Sequence, residues 1–169
     1  MARAFFVRGL RVDMQTLAEK LGVGRTTLYR WVGDRERLLG DVLGELTAET
    51  WLSVEAETKG AGLDRVIGVL RSFMVATSTF GPLRTFCRGE PQLALRILLA
   101  PDGAVPRQLH SGIGLLLSNH LAGFDVEANR DTIDTIVQVG TALQWAPIVI
   151  GEGPAIDRAL RLIRSLLEP

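Results

Sequence analysis

The sequence predicts an all-α chain, and three observations carry that prediction. Apolar residues recur at three- and four-residue spacing from Leu17 to Leu167, Gly and Pro interrupt those stretches at short intervals, and no run alternates like a half-buried strand. There is no internal repeat. At 169 residues, 47% hydrophobic and 22% charged, the chain can bury one good core with a small module beside it.

The first helix of note is short. Asp13 is its expected N-cap, Leu17, Ala18 and Leu21 its buried stripe, and Gly22 its end, where a left-handed backbone suits glycine. Gly24 then starts Arg25–Val32, with Leu28, Trp31 and Val32 inward and Arg25, Thr26, Tyr29 and Arg30 outward. Two short helices on a tight glycine turn make a helix-turn-helix, whose second helix suits the DNA major groove. Asp34 caps a longer helix from Arg35 to about Lys59, with Leu38, Leu39, Val42, Leu43 and Leu46 inward. Arg35 falls in its first turn, where a helix N-terminus favours a phosphate. Beyond Gly60–Gly62 the breaks delimit helices Asp64–Phe80, Pro91–Leu99, Val105–Ala122, Glu127–Ile150 and Ala155–Leu167, with Leu83–Gly89 less regular. Pro147 is expected to kink its helix.

A net charge of zero conceals an uneven distribution. Residues 1–37 carry eight basic groups against four acidic ones, a net of +4 that leaves −4 for the remainder. A basic end on a neutral chain points to a polyanion. The lone Cys87 can form no intramolecular disulfide, so a reducing cytoplasm is the expected compartment and a buried apolar role the expected use. Arg3, Arg8 and Arg11 break any signal-like run, and Leu143–Ile150 is too short to span a bilayer, so no membrane association is expected. His110 and His120 have no partner at ligand spacing, so no metal and no cofactor are expected. No nucleophile elbow, phosphate loop or zinc-protease motif is present, which argues against an enzyme.

The string VDMQTLAEKLGVGRTTLYRWVGDRERLLGDVL, Val12 to Leu43, resembles the DNA-binding domain of the TetR family of regulators. Leu28-Tyr29, Trp31 and Asp34-Arg-Glu-Arg-Leu-Leu39 match that family in order and spacing. The resemblance implies a DNA-binding domain over residues 1–45 and a ligand-binding, dimerising domain over 46–169. By position it places Arg25, Thr26 and Thr27 against DNA, with Tyr29 and Arg30 continuing that face and Arg35 at a phosphate-binding position. Thr27 as a first-turn stabiliser and Tyr29 as a half-buried spacer are the plainer alternatives. Four residues depart from the pattern: Asp13 replaces a phosphate-donating hydroxyl, Gly24 a serine cap, and Trp31-Val32 the usual aromatic pair. Family members also carry a full first helix, where this chain has Ala2–Arg8, so a preceding segment is expected, DNA binding on a weakened scaffold being the alternative.

Two further expectations concern the later helices. Their apolar content exceeds what a free surface carries, and the family's last two helices pair with their twins in a dimer bundle. The resemblance therefore implies a homodimer through Ile136, Gly140, Leu143, Ile156, Leu160, Ile163 and Leu167, packing within one protomer being the alternative. Phe73, Thr77 and Phe80, with Gln138, Thr141 and Trp145, are aromatic and polar positions at helical spacing that suit a small, mostly apolar ligand. Plain core is the alternative there. The Phe5–Met14 and Leu28–Val32 segments are similar to an actinobacterial branch that includes a regulator of quorum-sensing-lactone degradation, which implies a lactone or acyl-type effector. The expected activity is thus a repressor on palindromic operator DNA, released by its effector; a helix-turn-helix used only for protein association is the competing one.

Overall fold

The computed structural model describes residues 1–168, and these form ten α-helices with no strand. Three short helices, α1 (Ala2–Val7), α2 (Met14–Leu21) and α3 (Arg25–Val32), lead into the long α4 (Arg35–Glu57). The other six are α5 (Gly62–Thr79), α6 (Gly81–Gly89), α7 (Pro91–Leu99), α8 (Ala104–His120), α9 (Arg130–Val149) and α10 (Ile156–Leu167).

Both acidic caps form. The Asp13 carboxylate accepts from the Thr16 backbone N–H at 2.8 Å and its hydroxyl at 3.0 Å, and Asp34 accepts from the Arg37 N–H at 2.8 Å. Those Thr16 donors hold the Asp13 carboxyl below its usual range. Gly22 closes α2 at φ 66°, donating to the carbonyls of Ala18 and Glu19. Two inward assignments in this region are corrected: Trp31 is 60% exposed and Leu21 44%. The buried arc of α3 is centred between Leu28 and Val32, and Trp31 lies about 60° round from Leu28 on the other side. Leu21 sits at the open end of α2, beside the turn. Phe6 of α1 packs edge-on against Phe86 of α6, ring centroids 5.7 Å apart.

The segment before Pro91 is more regular than its sequence suggests. Gly81-Pro82 reads as a break, yet Pro82 lies in the first turn of α6, where a missing N–H costs nothing. Glu90 separates α6 from α7 because the residue before a proline is kept out of the helical region; its φ and ψ are −136° and 60°.

The larger body packs around α4 and α8, which cross closely because both carry glycine at the contact. A Cβ on Gly44 would lie 2.8 Å from that of Ala104, and one on Gly112 would lie 2.7 Å from the buried Trp51 ring. Val66, Val69, Leu116, Leu117 and Ile133 are completely enclosed. α4 runs unbroken through residues 45 and 46, so one helix serves both of the expected domains. Arg65 donates to the Glu55 and Thr58 carbonyls at the end of α4 and to His120 Nε2, which draws His120 to that corner.

α9 continues through Pro147, and its neighbours use what the proline frees. The Leu143 carbonyl, which loses its usual donor at residue 147, accepts from the Ala155 N–H at 2.9 Å. That bond turns the chain back so that α10 lies along α9 and α5. Arg164–Asp64 and Arg71–Asp157 pairs, at 2.6 and 2.7 Å, sit on the α5–α10 seam.

The α4–α8 crossing is open to a direct test. Gly112→Ala should destabilise the fold by about 1–3 kcal/mol in urea unfolding, because its methyl meets a rigid, buried indole.

Candidate nucleic-acid interface and effector cavity

The sequence places four polar residues on one face of α3, and the structure leaves Arg25, Thr26, Tyr29 and Arg30 exposed there. Thr27 is half-buried above Gly24, and Leu28, 3% exposed, anchors the helix. Trp31 is a second exposed aromatic on α3, roughly opposite Tyr29 around the helix, where an inward hydrophobic stripe was expected. The signal was available: tryptophan so far from the centre of a short helix's buried arc has little core to fill. On α2, the Gln15 amide nitrogen donates to the Glu19 carboxylate at 3.1 Å.

Arg35 is corrected outright. Its Nε donates to the Val12 carbonyl, and its two terminal nitrogens form a fork on Glu90, at 2.6 and 2.7 Å. A guanidinium with all three nitrogens committed inside the protein does not face DNA in this conformation. The pair joins the first turn of α4 and the start of the helix-turn-helix to the α6–α7 junction. The Arg35 hydrogen bonds, with a lesser contribution from Arg11 at 4.0 Å, hold the Glu90 carboxyl below its usual range. An open cleft of about 400 Å³ surrounds the pair, bordered by Phe6, Leu10 and Phe86.

A second void lies inside the helical body. This cavity of about 200 Å³ is walled by Phe73, Phe80, Leu83, Leu98, Leu109 and Trp145, with Thr47, Thr50, Thr77, Thr141 and Gln144 among them. Five of the six expected ligand residues converge there from α5, the α5–α6 corner and α9. Gln138 does not. It is exposed and borders an open groove of about 770 Å³ between α8 and α9, where His110 and Asp134 approach to 3.2 Å. The polar residue inside is Gln144, 2% exposed, whose amide nitrogen donates to the Met74 carbonyl at 3.1 Å and to Thr77 Oγ1 at 2.7 Å. Gln144 lies three residues after Thr141 and seven after Val137, on the buried face. A stripe drawn one residue off, through 138, 141 and 145, missed it.

The expected dimer residues divide. Ile136, Leu160 and Ile163, at 1%, 3% and 2% exposure, lie in the protomer's own core between α9, α10 and α5. They are corrected to internal packing, because they are the contacts by which α10 folds back on its own chain. Gly140 faces Ile163, and Leu143, Ile156 and Leu167 are half-buried at the margin of the core. The apolar residues these helices present outward are Leu162 and Leu166, one turn apart on α10, with Ala142 and Ala146 on α9.

Cys87 is fully enclosed, and burial pushes its thiol up to about 12, which leaves it unreactive. Among the described residues no group of three metal-ligating side chains comes together, and no single helix is long and apolar enough to cross a membrane.

Residues 61–168 match the family model described as the tetracyclin repressor-like C-terminal domain. Over its length the chain is similar to the solved structure of the R. erythropolis transcriptional repressor QsdR from the TetR family, with a TM-score of 0.89 and 29% identity. That likeness covers 98% of this chain and 89% of the other. No curated protein matches the sequence.

The Arg35–Glu90 fork has a pH signature. Glu90→Gln should cost about 1–2 kcal/mol at neutral pH, allowing for partial exposure of the pair. The folded carboxyl titrates below its unfolded value, so the contribution is whole above the usual carboxylate range and lost as pH falls through the lowered value. Unfolding curves of wild type and variant should therefore converge in acid.

Proposed function

The chain belongs to the TetR family of ligand-responsive transcriptional regulators, and from that premise we propose a homodimeric repressor whose operator affinity falls when a small, mostly apolar effector fills the cavity. The observation that carries this reading is the position of α6. Its N-terminal corner supplies Phe80 and Leu83 to the cavity wall, and its C-terminal end hands over to Glu90, which holds Arg35 and, through it, the Val12 carbonyl. A ligand that binds one arrangement of α6 better than another thereby shifts the position of the DNA reader.

On the DNA side, residues 1–45 act as the reader. Arg25 and Arg30 suit guanine edges or phosphates, Thr26 a thymine methyl, and Tyr29, Thr27 and Trp31 the sugar–phosphate edge. Two copies read a palindrome, with recognition helices about 34–36 Å apart, so a shift of a few ångströms is enough to lose one half-site. The outward Leu162, Leu166, Ala142 and Ala146 supply an apolar face for pairing of α9 and α10 with their twins. Residues 46–169 act as the sensor, and the apolar walls of its cavity suit a lactone or acyl-type effector. The basic bias of residues 1–37 favours a DNA partner over pure protein association, and a cytoplasmic site of action follows from such a partner. TetR-family regulators are typically non-enzymatic.

DNA selected in vitro from a random library should be palindromic and should bind with steep salt dependence. Arg30→Ala should reduce the salt slope by about one, and the double variant Tyr29→Ala, Arg30→Ala should abolish binding while sedimentation still shows a dimer. Unchanged DNA affinity in that double variant would remove α3 from the interface.

A further inference from the structure

The cavity's polar atoms are not equivalent, and the difference lies in which of them already have partners. Thr50, Thr77 and Thr141 direct their hydroxyl protons at the carbonyls of Leu46, Phe73 and Val137, one turn back. Thr47, 8% exposed, makes no such bond, and no fully enclosed side-chain oxygen or nitrogen lacks a partner among the described residues. Its hydroxyl therefore opens onto the cavity it lines, with both donor and acceptor capacity free.

Gln144 is constrained further. Its amide has two possible orientations, and the neighbours decide between them. The Met74 carbonyl can only accept, and Thr77 Oγ1 has already committed its proton to Phe73, so both require the amide nitrogen. Oε1 is left as an unpartnered acceptor on a side chain that is 98% buried, at the wall of an apolar cavity. No ionisable side chain lines that cavity. A charged ligand would enter without a counter-charge, and a ligand offering only acceptors would set lone pair against lone pair at Gln144.

We infer that the cavity selects an uncharged molecule with an apolar body and an N–H or O–H donor, the donor bonding Gln144 Oε1 while the Thr47 hydroxyl bonds an adjacent polar atom. This rests on the cavity being the effector site. It narrows the lactone and acyl-type class to members that also carry an N–H or O–H, such as amides, amide-bearing lactones and hydroxylated acyl chains.

The test uses the full chain and four probes of similar size: hexanamide, methyl hexanoate, hexanoate and hexylamine, followed by calorimetry and by tryptophan fluorescence in a Trp31→Phe, Trp51→Phe background that leaves Trp145 of the cavity wall as the sole emitter. Hexanamide should bind and the two ions should not. Gln144→Leu should reduce the ratio of amide to ester affinity by about tenfold or more, the scale of one hydrogen bond lost at a buried acceptor. Thr47→Val, which removes no bond within the protein, should leave the melting temperature unchanged and weaken both carbonyl probes several-fold. This second variant keeps the test open if Gln144→Leu does not fold. Probe binding with an unchanged amide-to-ester ratio, or hexanoate binding as tightly as hexanamide, overturns the donor rule and leaves the cavity as the effector site. Failure of all four probes to bind the wild type overturns both.

Discussion

The fork of Arg35 on Glu90 is the contact on which the relation between the two halves of this molecule depends. Three short helices of six to eight residues have little core of their own, and helices of that length are not stable in isolation. They are held by Leu28, Leu17 and Phe6 packing inward and by a guanidinium that reaches from the start of α4 to both the Val12 carbonyl and the carboxylate between α6 and α7. A bidentate arginine fixes orientation as well as distance. Flexible side chains could tolerate a drifting reader; this pair cannot without losing two charge-assisted hydrogen bonds at once.

That constraint gives α6 its importance. The helix has only nine residues, about 13–14 Å of rise, yet one end borders the cavity and the other borders the fork. Prolines at the starts of α6 and α7 make both junctions stiff without costing a hydrogen bond, since each lies where the helix N–H has no partner. A single short element thus joins the cavity to the fork. The cavity in turn holds its polar groups in fixed roles, with three threonines bonded to their own helices and Gln144 bonded across to α5. These bonds satisfy groups that would be costly to bury bare, and they leave a defined pair of atoms facing the void.

Much of this was legible in the residues. Caps at Asp13 and Asp34, the glycine turn at Gly22 and the spacing of Leu28 from Leu17 are local rules, so the helix-turn-helix could be placed within a residue or two. Phe73, Thr77 and Phe80 could be grouped by helical spacing, as could Thr141 and Trp145, but their meeting in one cavity is a tertiary fact. The misplacements have one cause in common. Periodicity gives the angle between residues on a helix but not which arc faces the core, so spacing alone does not separate Gln138 from Gln144 or turn Trp31 outward. Ile136, Leu160 and Ile163, which the family resemblance places against a partner chain, are enclosed by their own protomer; neither resemblance nor spacing says whose core an apolar stripe fills.

By itself the sequence determined the all-α class, the helix-turn-helix and its exposed polar face, because these follow from contacts between residues a turn or two apart. It also determined the apolar character of the sensor region, which is a matter of composition. Only the tertiary structure decided what Arg35 does, since its partner lies 55 residues away and a basic residue at a helix start suits a phosphate equally well by local rules. Only the tertiary structure decided which amide oxygen faces the cavity. That depended on donors and acceptors brought together from α5 and α9, and no spacing along either helix records which of them are already satisfied.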